Sequence, residues 1–111
     1  MRNGLHAFSN GTRVWYQNDQ RHREDGPALE HVNGDREWYL NGQRHREDGP
    51  AIERPDGSYS WYLNGELHRL DGPAYERADG TRAWYLYGKR YTEEEYKQEL
   101  CVRKWGLSVD A

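Results

Sequence analysis

Trp15, Trp38, Trp61 and Trp84 stand 23 residues apart, and the surrounding residues keep step with them. Each is followed by a tyrosine, at Tyr16, Tyr39, Tyr62 and Tyr85. Gly11, Gly34, Gly57 and Gly80 keep the same interval, as do His22, His45 and His68, with Tyr91 in the fourth place. Asp-Gly-Pro-Ala stands at 25–28, 48–51 and 71–74. A fixed period of this length marks a supersecondary unit that cannot bury its apolar face alone and must stack on its neighbours. The chain therefore reads as four tandem β-repeats over 1–90, the first degenerate at Gly4-Leu5-His6-Ala7, followed by a different segment over 91–111.

Each unit carries three turn signals. Asn-Gly or Asp-Gly at 33–34, 56–57 and 79–80 favours the positive φ of a tight hairpin, and Asn41-Gly42 and Asn64-Gly65 repeat that chemistry after the aromatic run. Asp-Gly-Pro then makes a rigid corner. Between turns the pattern alternates with period two, placing Tyr59, Trp61 and Leu63 on one face and Ser58, Ser60 and Tyr62 on the other. Two strands per copy predict a mainly β fold: a single-sheet meander of antiparallel hairpins capped by a helix. Turns seven or eight residues apart also allow a three-sided β-solenoid, with one copy per coil. The hairpin turns favour the meander. On that reading the tryptophans stack as a buried ladder, while Tyr39 and Tyr62 point to the more exposed face.

Composition decides how such a sheet is held. Only 34% of the 111 residues are hydrophobic and 32% are charged, yet there are five Trp and nine Tyr. Aliphatic burial is scarce, so aromatic rings, each able to bury about 150–250 Å², are expected to carry the packing. The net charge is −3 and no basic stripe stands out, which argues against nucleic acid as a partner. Cys101 is the only cysteine, so no intrachain disulfide can form. No segment approaches the length of a membrane span, and a reducing, cytoplasmic setting is the expectation.

After Gly88 the period becomes helical. Thr92 and Glu95 form a capping box, flanked by Tyr91 and Tyr96 as a hydrophobic staple. Glu93, Glu94 and Glu95 suit the positive end of a helix dipole, and Gly106 suits a C-terminal stop. The spacing predicts a helix over 93–104. It would act as a lid over the sheet end or, through Tyr96, Leu100, Cys101 and Trp105, as a docking or dimerisation surface.

The run from Asn41 to Ala51, followed by Asp56-Gly57 and Trp61-Tyr62, resembles a variant MORN repeat over roughly 4–90. It departs where that family places Gly after the His, since Arg23, Arg46 and Arg69 stand there. Arrays of the HREDGPA type ending in a short acidic helix also resemble small bacteriophage proteins. The resemblance implies a scaffold for protein contacts, with membrane lipid as a further ligand. A phage origin would imply action in the host cytoplasm, as an inhibitor of a host or defence protein.

No catalytic constellation emerges. The run His-Arg-Glu-Asp at 22–25 and 45–48 lacks the Asp after Arg, and the later Asn, of a kinase catalytic loop. His22, His45 and His68 would lie about 9–10 Å apart if two strands separate them, too far for one metal centre. No cofactor is expected. Arg23, Arg46 and Arg69 precede Glu30, Glu53 and Glu76 by seven residues and suggest an Arg–Glu ladder or a fork for an acidic partner. The sequence thus reads as a non-enzymatic protein-binding module. Its candidate contact residues are Tyr16, Tyr39, Tyr62, Tyr85, His45, His68, Arg46 and Arg69. Two alternatives remain open: a choline- or cell-wall-glycan-binding module, since Trp-Tyr-Leu-Asn-Gly resembles such aromatic hairpins, and a self-associating protein that forms a homodimer.

Overall fold

A computed structural model describes the backbone of residues 2–105 and the side chains of 2–103. The fold is the meander. The first copy supplies β1 (Gly4–Ala7), β2 (Arg13–Gln17) and β3 (Gln20–Arg21). The second supplies β4 (Leu29–Glu30), β5 (Arg36–Glu37), β6 (Tyr39–Leu40) and β7 (Gln43–Arg44). The third repeats these as β8 (Ile52–Glu53), β9 (Tyr59–Ser60), β10 (Tyr62–Leu63) and β11 (Glu66–Leu67). The fourth ends in β12 (Tyr75–Glu76), β13 (Arg82–Leu86) and β14 (Lys89–Tyr91), and α1 (Glu93–Trp105) follows.

One ten-stranded antiparallel sheet runs in the order β1-β2-β4-β5-β8-β9-β12-β13-β14, with β3 on β2, while β6-β7 and β10-β11 form two small separate ladders. Each turn follows from its residues. Asn41 and Gly42 take φ of 50° and 81°, and Asn64 and Gly65 take 49° and 83°, the two positive values that a tight two-residue hairpin needs. At the turns through Gly11, Gly34, Gly57 and Gly80 an Asx side chain accepts the N–H two residues on, as Asp56 does from Ser58 at 2.8 Å.

The register places two kinds of row across the sheet. One runs Arg13, Glu30, Arg36, Glu53, Tyr59, Glu76, Arg82, alternating charge between most neighbouring strands. Arg13 meets Glu30 at 2.6 Å and Arg82 meets Glu76 at 3.0 Å. The other runs Val14, Leu29, Glu37, Ile52, Ser60, Tyr75, Ala83 and contains buried Val14, Ile52, Ser60 and Ala83. The glutamates therefore do pair with arginines across the strands, Glu30 with Arg13 and Glu76 with Arg82, while Arg36 stands in register with Glu30 and Glu53. Of the arginines expected to partner them, Arg46 alone among the described ion pairs comes near, 3.6 Å from Glu53.

Each tryptophan of a central copy is a bend. Strand structure stops at Trp38 and Trp61, between β5 and β6 and between β9 and β10. The N–H of Trp38 donates forward to the Ala51 carbonyl at 2.7 Å, while its own carbonyl accepts from His45 N–H at 3.1 Å. Trp61 does the same with Ala74 and His68. The chain thus leaves the main sheet at both of these Trp residues and enters a hairpin that leans on the preceding copy, Gly65 N–H donating to the Arg44 carbonyl at 2.8 Å.

The bend resets the alternation and changes which rings are buried. Trp38 and Trp61 are half-buried, and Tyr39, expected on the exposed face, is 6% exposed. The residues that accept or follow these bends carry no large side chain: Ala28, Ala51 and Ala74 are fully buried. The interior is a thin seam of alanines and single aliphatics, ended by Leu86 and Tyr96. The chain is accordingly long and flat, 59 × 32 × 18 Å.

The tail folds as its spacing predicts, one residue longer than 93–104. Thr92 Oγ1 accepts from Glu95 N–H at 3.1 Å and Glu95 Oε1 accepts from Thr92 N–H at 2.9 Å, a complete capping box. Tyr96 is 3% exposed; its hydroxyl donates to the Arg69 carbonyl and accepts from Gly72 N–H at 3.3 Å. This anchors the helix on the third corner, as a lid. Gly106 and the Trp105 side chain lie outside the described residues.

Candidate binding surface

The DGP corners are built on a stacked pair. The guanidinium of Arg46 lies 3.9 Å from the ring centre of Trp38, that of Arg23 3.9 Å from Trp15, and that of Arg69 4.1 Å from Trp61. The ladder is therefore one of Trp–Arg pairs, where a ladder of tryptophans was expected. The rest of the corner locks each guanidinium in place. Arg46 Nε donates to Asp48 at 3.2 Å and its Nη1 to the Pro50 carbonyl at 3.1 Å. Arg23 and Arg69 make the same bonds to Asp25 and Pro27, and to Asp71 and Pro73. The glycine in the middle of the corner leaves room for the guanidinium: a Cβ on Gly49 would stand 2.8 Å from the Arg46 guanidinium carbon, and one on Gly26 or Gly72 3.1 Å from that of Arg23 or Arg69. One side chain thus explains the conjunction of His-Arg with Asp-Gly-Pro. That Arg and corner vanish together after Tyr91 is the sequence signal that could have revealed the stack.

His22, His45 and His68 are latches between copies. Nδ1 of His22 accepts the N–H of Asn41, His45 that of Asn64, and His68 that of Tyr87, all at 2.9 Å. Those three donors have positive φ, at the hairpin tip of the next copy. An accepting Nδ1 requires the proton on Nε2, which in His22 and His45 faces Glu24 and Glu47 of its own copy at 3.6 Å. At His68, burial and then the charge of Arg103 hold the imidazole pKa below its ordinary value, against the opposing pull of Glu66. His45 and His68 thus prove to be joints of the fold.

The tyrosines divide. Tyr39 lies between Arg21 and Arg44, whose guanidinium carbons are 5.4 and 5.9 Å from its ring, and its hydroxyl donates to Glu37 at 2.8 Å. Burial, and then that bond to Glu37, raises its phenol pKa. It is buried, because the strand phase that would expose it is broken at Trp38. Tyr16, Tyr62 and Tyr85 are half-buried and keep part of their rings at the surface.

Between successive corners lie two similar grooves. The first, about 620 Å³, has Trp38 and Leu40 on its floor between the Arg23 corner and the Arg46 corner. The second, about 550 Å³, has Trp61 and Leu63 between the Arg46 and Arg69 corners. Arg46 and Arg69 therefore line grooves, with His45 and His68 beside them. The rim carboxylates are solvated: Glu24, Asp25, Glu47 and Asp48 side chains are 81–88% exposed. Among the described residues no group of three or more His, Cys, Asp or Glu is placed to hold a metal ion. No described helix is long and apolar enough to cross a membrane. Compared with family models, curated proteins and solved structures, the chain matches none.

Proposed function

We propose that the chain is a non-enzymatic module that binds another protein. Following the likeness of its HREDGPA array to small bacteriophage proteins, we further propose that it acts in a host cytoplasm as an inhibitor of a host or defence protein. The observation that carries the reading is the repetition of one groove, with an aromatic floor and a charged rim, along a thin flat sheet. Repeat arrays present such extended surfaces to macromolecules. The partly exposed rings of Tyr62 and Tyr85 add residue types enriched at interface hot spots. The choline alternative loses support at the corners, where the chain's own Arg23, Arg46 and Arg69 already stand as the cations over Trp15, Trp38 and Trp61.

Self-association keeps one specific support. Among the described residues strand β1 is a sheet edge, with Leu5 and Phe8 exposed, as is Val32. Affinity capture from a bacterial host lysate, paired with light scattering of the pure chain over a concentration range, tests both readings. Recovery of a host protein in fixed stoichiometry by a monomeric chain supports the proposal. A concentration-dependent dimer that recovers nothing removes it and favours self-association.

A further inference from the structure

The two grooves are consecutive and share the Arg46 corner as a common wall; in the second, Leu70 stands at the repeat position that Glu24 and Glu47 hold in the first. The first is walled by four carboxylates, Glu24, Asp25, Glu47 and Asp48, against two guanidiniums, Arg23 and Arg46. Those guanidiniums are paired with Asp25 and Asp48, which leaves the charge of Glu24 and Glu47 over for a ligand. Glu24 and Glu47 have only a histidine edge at 3.6 Å and are 84% and 81% exposed. Twenty-three residues after Asp48, Asp71 continues the row, and a further copy-length on Glu94 stands in the first turn of α1. Beneath this acidic rim the floor is apolar, Trp38 with Leu40 and then Trp61 with Leu63.

The spacing of the grooves limits what can fill both. Copies are two strands apart, about 9.6 Å at about 4.8 Å per strand. A polyproline-II chain advances about 9.3 Å in its three-residue turn. An extended β-strand returns to the same side every two residues, about 6.7 Å, and falls out of step. Proline rings lie well on aromatic floors, and the polyproline-II form is largely ordered before it binds.

Resting on the protein-binding reading, we propose that the grooves form one track for an extended, proline-rich, basic segment of the partner, with one Arg or Lys per groove and one prolyl face on each Trp–Leu floor. A segment of about six residues spans both grooves at three residues per turn. The cation of each turn reaches Glu24 or Glu47, where bonds to carboxylate are charge-assisted.

The test titrates the full chain with a fluorescent nine-residue peptide of three Arg-Pro-Pro units, followed by anisotropy at low ionic strength. The expected result is saturable binding that shifts the indole resonances of Trp38 and Trp61. Affinity should fall at least tenfold for a peptide of the same residues with its three arginines adjacent, and at least tenfold again for the E24Q/E47Q double variant, whose melting temperature should stay at that of the parent. Equal affinity for the ordered and rearranged peptides overturns the track, as does binding unchanged in E24Q/E47Q. A chain that captures a folded protein which the peptide does not displace keeps the protein-binding function and loses this groove assignment.

Discussion

The central copies and the C-terminal end solve one problem in two ways. In the second copy Trp38 is covered by Arg46, and that arginine is held by Asp48 and the Pro50 carbonyl over a glycine. At the end, Trp84 is followed at the same interval by Thr92, and Glu95 stands where a corner glycine would be. No guanidinium has to be accommodated there, so the chain turns into a helix. Tyr96, in the place of the corner proline, reaches back to Arg69 and Gly72 of the third corner. The difference teaches that Arg, Asp, Gly and Pro form one device, used where another copy must follow and dropped as a unit where the array closes.

The largest expected effect separates the two regions by tyrosine. Tyr39→Ala should cost about 3–5 kcal/mol, the range for removing a buried ring, and unfold a marginal domain. Tyr85→Ala, at the half-buried equivalent place beside the end, should cost less than half as much. Urea denaturation of both variants checks this, and equal losses would erase the distinction between buried and surface tyrosines. Gly49→Ala should cost about 1–2 kcal/mol, because its methyl displaces a guanidinium whose stacking and hydrogen bonds are each worth about 1 kcal/mol. A Gly49→Ala chain as stable as the parent in the same denaturation would show that the corner does not need its glycine.

The latch at the end carries the smallest effect, and its sign follows from the ring's surroundings. The folded His68 pKa is depressed below about 6.5, so the unfolded chain takes up the proton first. The stability due to the neutral ring is therefore complete above about pH 6.5 and is lost as pH falls from there through the folded pKa. Its loss follows from burial and the Arg103 charge, and it breaks the bond from Tyr87 N–H, since a protonated Nδ1 cannot accept. His68→Asn, which keeps an acceptor that does not titrate, should flatten that part of the stability–pH curve. An identical slope in parent and variant would take the latch out of the acid response.

Much of the fold is legible because its signals are local. Asn41-Gly42 and Asn64-Gly65 state their hairpins, and Thr92 with Glu95 states the helix start; both depend on residues within four positions. The faces of Trp38 and Tyr39 are not legible in the same way. Period-two reasoning runs straight through Trp38, whereas the strand breaks there, between the main sheet and the hairpin that follows. The candidate surface is partly legible. Arg46, Arg69, His45 and His68 do line the grooves. Their main partners, however, are an indole eight residues back and a backbone N–H nineteen residues ahead. Counting seven residues forward from Arg46 to Glu53 finds only a 3.6 Å neighbour, while the stacking partner lies behind it.

The Arg–Trp pair is tested most directly by a double-mutant cycle on stability, Arg46→Ala and Trp38→Leu singly and together, beside the matched cycle of Thr92→Ala and Trp84→Leu. The expected coupling is about 1–2 kcal/mol at Arg46 and Trp38, the scale of a partly desolvated cation over an indole, and within about 0.3–0.5 kcal/mol of zero at Thr92 and Trp84. Strict additivity at Arg46 and Trp38, or equal coupling at both ends, would contradict the stacked corner as the element that builds the array.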